Sequence, residues 1–101
     1  MYIGIDLGTT GVKVLLVDGR GNLLNSVTET YELLTPRPLW TEQNPGDWYE
    51  SALRAIRKCI AGHETEIKAL SFSGQMHGLV ILDEADRIIR PALLWNDQRT
   101  I

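Results

Sequence analysis

The stretch from Tyr2 to Arg20, YIGIDLGTTGVKVLLVDGR, constrains the fold more than any other part of the chain. Ile3, Ile5 and Leu7 alternate with Tyr2, Gly4 and Asp6, so residues 2–7 predict a strand with one apolar face. Gly8-Thr9-Thr10-Gly11 is a turn of small residues. Residues 12–18 predict a second strand, and its nearly continuous Val12, Val14, Leu15, Leu16 and Val17 suggest cover on both faces. Asp18-Gly19-Arg20-Gly21 is a strong turn signal. A third strand is expected over residues 22–32, nearer an edge because its alternation is imperfect. Three strands joined by tight turns read as an antiparallel meander.

Beyond the meander, residues 33–44 read as a loop stiffened by Pro36 and Pro38, with Trp40 either anchoring it or lining a cleft. Asn44-Pro45-Gly46-Asp47 is a helix start, with a capping Asn44, Pro45 in the first turn and an early acid. The helix is expected to run to about Ala61. Its packing face is expected along Trp48, Ala52, Ile56 and Cys59 with the neighbouring row Tyr49, Leu53 and Ile60, and Arg54, Arg57 and Lys58 face water. Gly62 then ends it. Residues 66–73 predict a strand that returns parallel to the first. Residues 79–82 predict a short strand, 83–86 a turn, 87–89 a return, and 96–101 a polar end. The fold class is therefore α/β: a three-strand antiparallel meander, a crossover helix and a parallel strand.

With 101 residues and 44% of them hydrophobic, the chain supports one modest core. A net charge of −3 argues against nucleic acid or an anionic membrane as main partner, since both want a basic surface. No stretch approaches the roughly 20 apolar residues of a membrane helix, and nothing resembles a secretory signal. Cys59 is the only cysteine, so no internal disulfide is possible, and a cytoplasmic setting is expected. As a thiolate nucleophile Cys59 would need exposure; its place on an apolar helical face favours a core residue.

Three constellations carry chemistry. The first is Asp6 with the turn Gly8–Gly11. A bare carboxylate repels phosphate, but a divalent cation between them reverses the sign, and Mg2+ prefers oxygen ligands. Gly8 and Gly11 free the turn to aim N–H groups at phosphate oxygens, Thr9 and Thr10 add hydroxyls, and Lys13 adds charge one residue into the next strand. The plain alternative is a tight hairpin with a surface acid and a surface lysine. It is not a P-loop, since GxxxxGK[ST] is absent and no helix follows directly. The second is Gly74-Gln75-Met76-His77-Gly78, whose Gln75 and His77 suit hydroxyls and whose Met76 suits a carbon skeleton. Its bland counterpart is a core Met76 and an exposed turn His77. The third is Trp95-Asn96-Asp97-Gln98-Arg99, where Asn96, Asp97 and Arg99 bind hydroxyls, brace the site, or form a solvated terminus.

IGIDLGTTGVKVLLVDGRG resembles the first phosphate motif of the sugar-kinase, actin and heat-shock chaperone superfamily. WTEQNPGDWYESALRAI and SGQMHGLVILDEADRIIRPALLWNDQR narrow the resemblance to the FGGY carbohydrate kinases, and GQMHG with PALLWNDQR is most similar to the xylulose kinases among them. The resemblance covers essentially the whole chain. It implies the start of a ribonuclease H-like domain, residues 1–101 being the N-terminal part of a protein several times longer. It implies ATP and Mg2+ as cofactors, a small-molecule sugar as acceptor, and a homodimer as one candidate assembly of the full-length parent. Asp6 would lie on the metal side, Gly8, Thr9, Thr10, Gly11 and Lys13 at the γ-phosphate, Gln75, Met76 and His77 at the sugar, and Asn96, Asp97 and Arg99 at or behind it. The family's catalytic aspartate lies beyond residue 101, so none of these residues is a candidate for the catalytic base. The opening motif alone also permits an actin- or chaperone-like module with a conformational output. A nuclease on the same fold would need further acidic ligands near Asp6.

Overall fold

A computed structural model describes residues 1–100. Strands β1 (Tyr2–Leu7), β2 (Gly11–Val17) and β3 (Leu23–Thr30) form the antiparallel meander. Helix α1 (Pro45–Cys59) crosses over to β5 (Ala69–Gly74), which pairs parallel to β1, and the sheet order is β3-β2-β1-β5. A two-residue strand β4 (Glu42–Gln43) precedes α1 and pairs antiparallel with β6 (Ala92–Leu93) near the end of the chain.

The alternation in β1 is as expected: Ile3 and Ile5 are buried, while Tyr2 and Asp6 are exposed. The expected double cover of β2 is not found. Val12, Val14 and Leu16 form the core beneath α1, but Lys13 is exposed and Leu15 and Val17 are half-buried on the open face. Chain composition misled here, because apolar residues on a half-open face look like a buried run.

Asn44 caps α1 as anticipated, its side chain accepting from the Gly46 N–H at 2.9 Å. The helix stops at Cys59 rather than Ala61, and Gly62, with φ at +86°, supplies the left-handed turn that follows. Its buried line is Ser51, Ala55 and Cys59; of the expected face Cys59 is buried and Ala52, Ile56 and Ile60 pack half-buried against the same core, whereas Ser51 and Ala55 were not expected there. Small side chains let the helix lie close over β2 and β3. Trp48, Ala52 and Ile56 then sit half-buried to one side, and Tyr49 is exposed. They line a groove of about 440 Å³ with Leu70 and Phe72 of β5.

Cys59 is a core residue, 1% exposed, with Sγ 3.5 Å from the Val14 carbonyl. Burial pushes its thiol pKa up, which further suppresses the thiolate. Ellman's reagent is expected to leave the native protein unlabelled and to titrate one thiol in denaturant; rapid native labelling would contradict this packing.

Three further expectations change. Residues 33–44 are not only a loop, since Leu34 bridges to Glu42 and β4 follows. The strand expected over 66–73 begins as a 3-10 turn at Glu64–Glu66, and β5 starts at Ala69. The strand expected over 79–82 is reduced to isolated bridges, Leu79 to Leu93 and Leu82 to Ile88.

Candidate functional site

Parallel pairing of β1 and β5 brings their carboxyl ends together, with Leu7 opposite Gly74. Such ends are where open α/β sheets build their sites. The approach is close: a Cβ on Gly74 would stand 3.0 Å from the Leu7 carbonyl oxygen, and the Gln75 N–H donates to that oxygen at 2.8 Å. The two glycine-flanked segments, Gly8–Gly11 and Gly74–Gly78, are thereby neighbours.

The turn is pinned from three sides. Its Gly8 N–H donates to the Gly11 carbonyl at 2.9 Å. The Tyr31 hydroxyl reaches the Gly8 carbonyl and, at 3.0 Å, the Gly11 carbonyl, while the Tyr31 N–H donates to the Thr10 carbonyl at 3.3 Å. The Gln43 Nε2 donates to the Thr9 carbonyl at 2.6 Å. With its carbonyls held this way, the turn leaves the Thr9 and Thr10 N–H groups without an acceptor among the described residues. Two adjacent N–H groups on a fixed turn form an anion-binding concavity. Burial, and then the charge of Asp6, raise the Tyr31 phenol above its ordinary pKa, so it stays a donor.

Asp6 is exposed on the open face of the sheet, opposite Lys13 on β2 and Ser73 on β5. Ser73 Oγ donates to Asp6 Oδ1 at 3.3 Å. These residues line an open cleft of about 350 Å³ with Gly4, Leu15 and Ser71. Among the described residues no group of three or more His, Cys, Asp or Glu side chains is placed to hold a metal. A lone exposed carboxylate fits a Mg2+ ion that keeps several waters and takes its other ligands from phosphate.

Met76 and His77 are exposed, and His77 adopts the left-handed backbone region at φ +63°. With Thr9, Gly74, Gln75 and Trp95 they line a cleft of about 400 Å³. Thr9 Oγ1 accepts from the Trp95 indole N–H at 3.0 Å and lies 3.5 Å from Gln75 Oε1, so this hydroxyl is engaged within the protein. Thr10 is exposed and stays available.

Asn96, Asp97 and Arg99 gather behind Trp95 and hold the segment before α1. Asn96 Oδ1 accepts from Thr41 Oγ1 at 3.0 Å, and Asp97 Oδ2 accepts from the Thr41 N–H at 2.8 Å. Arg99 donates to Asp97 through Nε at 2.9 Å and Nη2 at 2.7 Å, and to Glu42 through Nη2 at 2.7 Å. Its guanidinium stacks 3.9 Å from the centre of the Trp40 ring. Arg90 meets the same Glu42 oxygen at 2.5 Å. The Arg99 guanidinium holds the Asp97 carboxyl far below the usual carboxylate range.

Tyr31, Glu42, Gln43 and Trp95 were not singled out in the sequence as site residues. Trp95 stood inside a quoted motif. Glu42 and Gln43 likewise stand inside WTEQNPGDWYESALRAI, beside the Asn44 cap, with no role read for either.

Over residues 1–101 the sequence matches the N-terminal domain of the FGGY family of carbohydrate kinases. The chain belongs to that family. It is 47% identical over 100 residues to the xylulose kinase of Escherichia coli K12, covering 98% of this chain and 21% of the relative. A xylulose kinase structure from Brucella ovis superposes with a TM-score of 0.90 at 42% identity, covering 97% of this chain and 21% of that one. A ligand-bound xylulose kinase from Lactobacillus acidophilus also gives 0.90, at 30% identity, over 95% and 20% of the two chains. The chain thus spans about a fifth of the length of these relatives. No described helix is long and apolar enough to cross a membrane.

Proposed function

We propose that this chain forms the nucleotide-phosphate and sugar-contacting edge of an ATP-dependent xylulokinase, a kind of protein of whose length it spans about a fifth. The observation that carries this reading is one cleft of about 400 Å³ walled by Thr9 of the phosphate turn and by Met76 and His77. A phosphoryl donor and a small hydroxylated acceptor would meet there.

The following roles make up this reading, with Asp6 and Lys13 in the neighbouring cleft on the open face of the sheet. The Thr9 and Thr10 N–H groups and the Thr10 hydroxyl bind the γ-phosphate oxygens, and Lys13 adds positive charge. Gln75 and His77 orient the sugar hydroxyls while Met76 packs against its carbons. Asn96, Asp97 and Arg99 act from behind, keeping Trp95 and the β4 segment in place. Asp6 would hold Mg2+, which when bound neutralises charge on the phosphates. The sugar's terminal hydroxyl attacks the γ-phosphorus in line, ADP leaves, and xylulose 5-phosphate forms. The proton passes to a carboxylate outside these 101 residues. Asp97 cannot serve, because both its oxygens are committed to Arg99 and Thr41.

The test is ADP release by the complete protein with xylulose, ribulose, glycerol and gluconate as acceptors. Xylulose is expected to give the highest kcat/KM. Turnover of gluconate without xylulose would overturn the assignment, and ATP hydrolysis indifferent to every sugar would favour a module with a conformational output.

A further inference from the structure

Gln43 is 1% exposed, yet it is a polar side chain in a two-residue strand. Its amide makes three hydrogen bonds, and their partners belong to three separate segments. Nε2 donates to the Thr9 carbonyl at 2.6 Å. Oε1 accepts from the Trp48 indole N–H at 2.9 Å and from Gln75 Nε2 at 3.1 Å. The orientation of the amide is fixed by chemistry: a carbonyl only accepts and an indole N–H only donates, so the group fits one way round. That choice passes to Gln75. Its NH2 must face Gln43, which turns its own oxygen toward the Thr9 hydroxyl at 3.5 Å. No described buried side-chain polar atom lacks a partner.

We infer that Gln43 is a positioning residue, tying the phosphate turn to the Gln75–Gly78 segment through opposite ends of one buried amide. Naming the two sides phosphate and sugar rests on the proposed function. The tie itself rests on the three hydrogen bonds. Trp48, at the start of α1, is the fixed point. The indole holds the amide oxygen, the amide nitrogen then sets where the Thr9 carbonyl sits, and with it the direction of the neighbouring turn N–H groups. The same oxygen sets the rotamer of Gln75. A donor site and an acceptor site on different strands so share one reference point, which is what in-line transfer between them requires.

Gln43→Met keeps the volume and removes every hydrogen bond. Gln43→Glu keeps an oxygen for Trp48 and Gln75. In the complete protein, Gln43→Met is expected to raise KM for both ATP and xylulose by about tenfold, roughly the loss of one hydrogen bond on each side. Gln43→Glu is expected to return the xylulose KM to within about threefold of the parent, since its acceptor end is intact. A purely structural role would instead lower kcat by reducing the folded fraction and leave both KM values alone; that result, or equal loss of xylulose affinity in both variants, overturns the inference. Amide hydrogen exchange gives a readout independent of the substrate. In Gln43→Met, the hydrogen-bonded amides of Gly8 and Gln75, one in each segment, are expected to exchange about tenfold faster together. Unchanged exchange in either segment overturns the tie. Faster exchange in both, with a parent that phosphorylates no sugar, would uphold the tie and sink the kinase reading.

Discussion

Gly11→Ala is expected to destabilise the protein by about 2 kcal/mol, the usual range for overpacking a tight site, and, on the proposed function, to remove most of the phosphoryl transfer of the complete protein. The backbone angle is not the obstacle, since Gly11 is not among the glycines at positive φ. Space is. A Cβ at this position would lie 2.5 Å from the Glu29 carbonyl oxygen and 3.1 Å from the Thr30 Cα. Both are backbone atoms of β3, which cannot swing aside as a side chain can. Relief requires prying β3 from β2 where Gly11 faces Thr30, at the end that adjoins the turn. Tyr31 directly follows that strand, and its hydroxyl and N–H hold the Gly8, Thr10 and Gly11 carbonyls. Displacing it moves the turn, and a shift of about 1 Å in positioning groups can cost about a hundredfold in rate. Gly19→Ala is the control, because a Cβ there meets nothing within 4 Å. Thermal melts and kcat/KM on the three proteins decide the matter. A Gly11→Ala protein that melts with the parent would show that β3 yields freely.

The site was readable in the sequence where its logic is local and opaque where it is tertiary. Period-two alternation placed β1 without error because one face of that strand is buried and the other is not. The crossover argument for a strand parallel to β1 was correct, and that pairing is what brings the two glycine-flanked segments side by side. Glu42 and Gln43 left no such trace. Two residues show no periodicity, two prolines just upstream spell loop, and charged or amide side chains suggest solvent. Their burial follows from partners 48 to 57 residues away at Arg90 and Arg99, and from Thr9 and Gln75. The helix face was read only in part. Large apolar residues draw the eye, and Ala52, Ile56, Cys59 and Ile60 do pack on the core, but Ser51 and Ala55, small enough to let the helix lie close, share the buried line with Cys59.

Arg99→Ala is expected to lower Tm by about 10 °C, a large shift for a domain of this size, and to change how stability depends on acid. Arg99 Nη2 lies 2.7 Å from both Glu42 Oε2 and Asp97 Oδ2, and all three side chains are nearly closed off from solvent, at 12%, 8% and 6% exposure. Removing the guanidinium leaves two carboxylates facing one another with their shared counter-charge gone, and takes the nearer of two cations from the Trp40 ring, leaving Arg37 at 5.0 Å. Arg90 stays on Glu42 but is itself more exposed, and among the described ion pairs it does not reach Asp97. In the parent, the Asp97 carboxyl is held below its unfolded value, chiefly by hydrogen bonds from Arg99. A depressed folded pKa means stability that is fully present above the unfolded pKa, near 3.9, and lost as pH falls toward the folded one. The variant has lost that contribution already. The Tm difference between parent and variant should therefore be widest at neutral pH and should narrow below about pH 4. The difference is the quantity to follow, because Asp18, Glu29, Glu64 and Asp83 are also held low and lower both curves together. A constant gap across that window would mean that Arg99 acts by packing on Trp40 and not by charge. Arg99→Lys separates the two further: an ammonium supplies charge but cannot bridge Asp97 and Glu42 while lying flat on the indole. It should recover part of the Tm and restore part of the acid dependence. Because Glu42 is the chain neighbour of Gln43, either variant should also loosen the amide that holds the Thr9 carbonyl, and the Gly8 N–H, bonded to the Gly11 carbonyl, should exchange faster than in the parent.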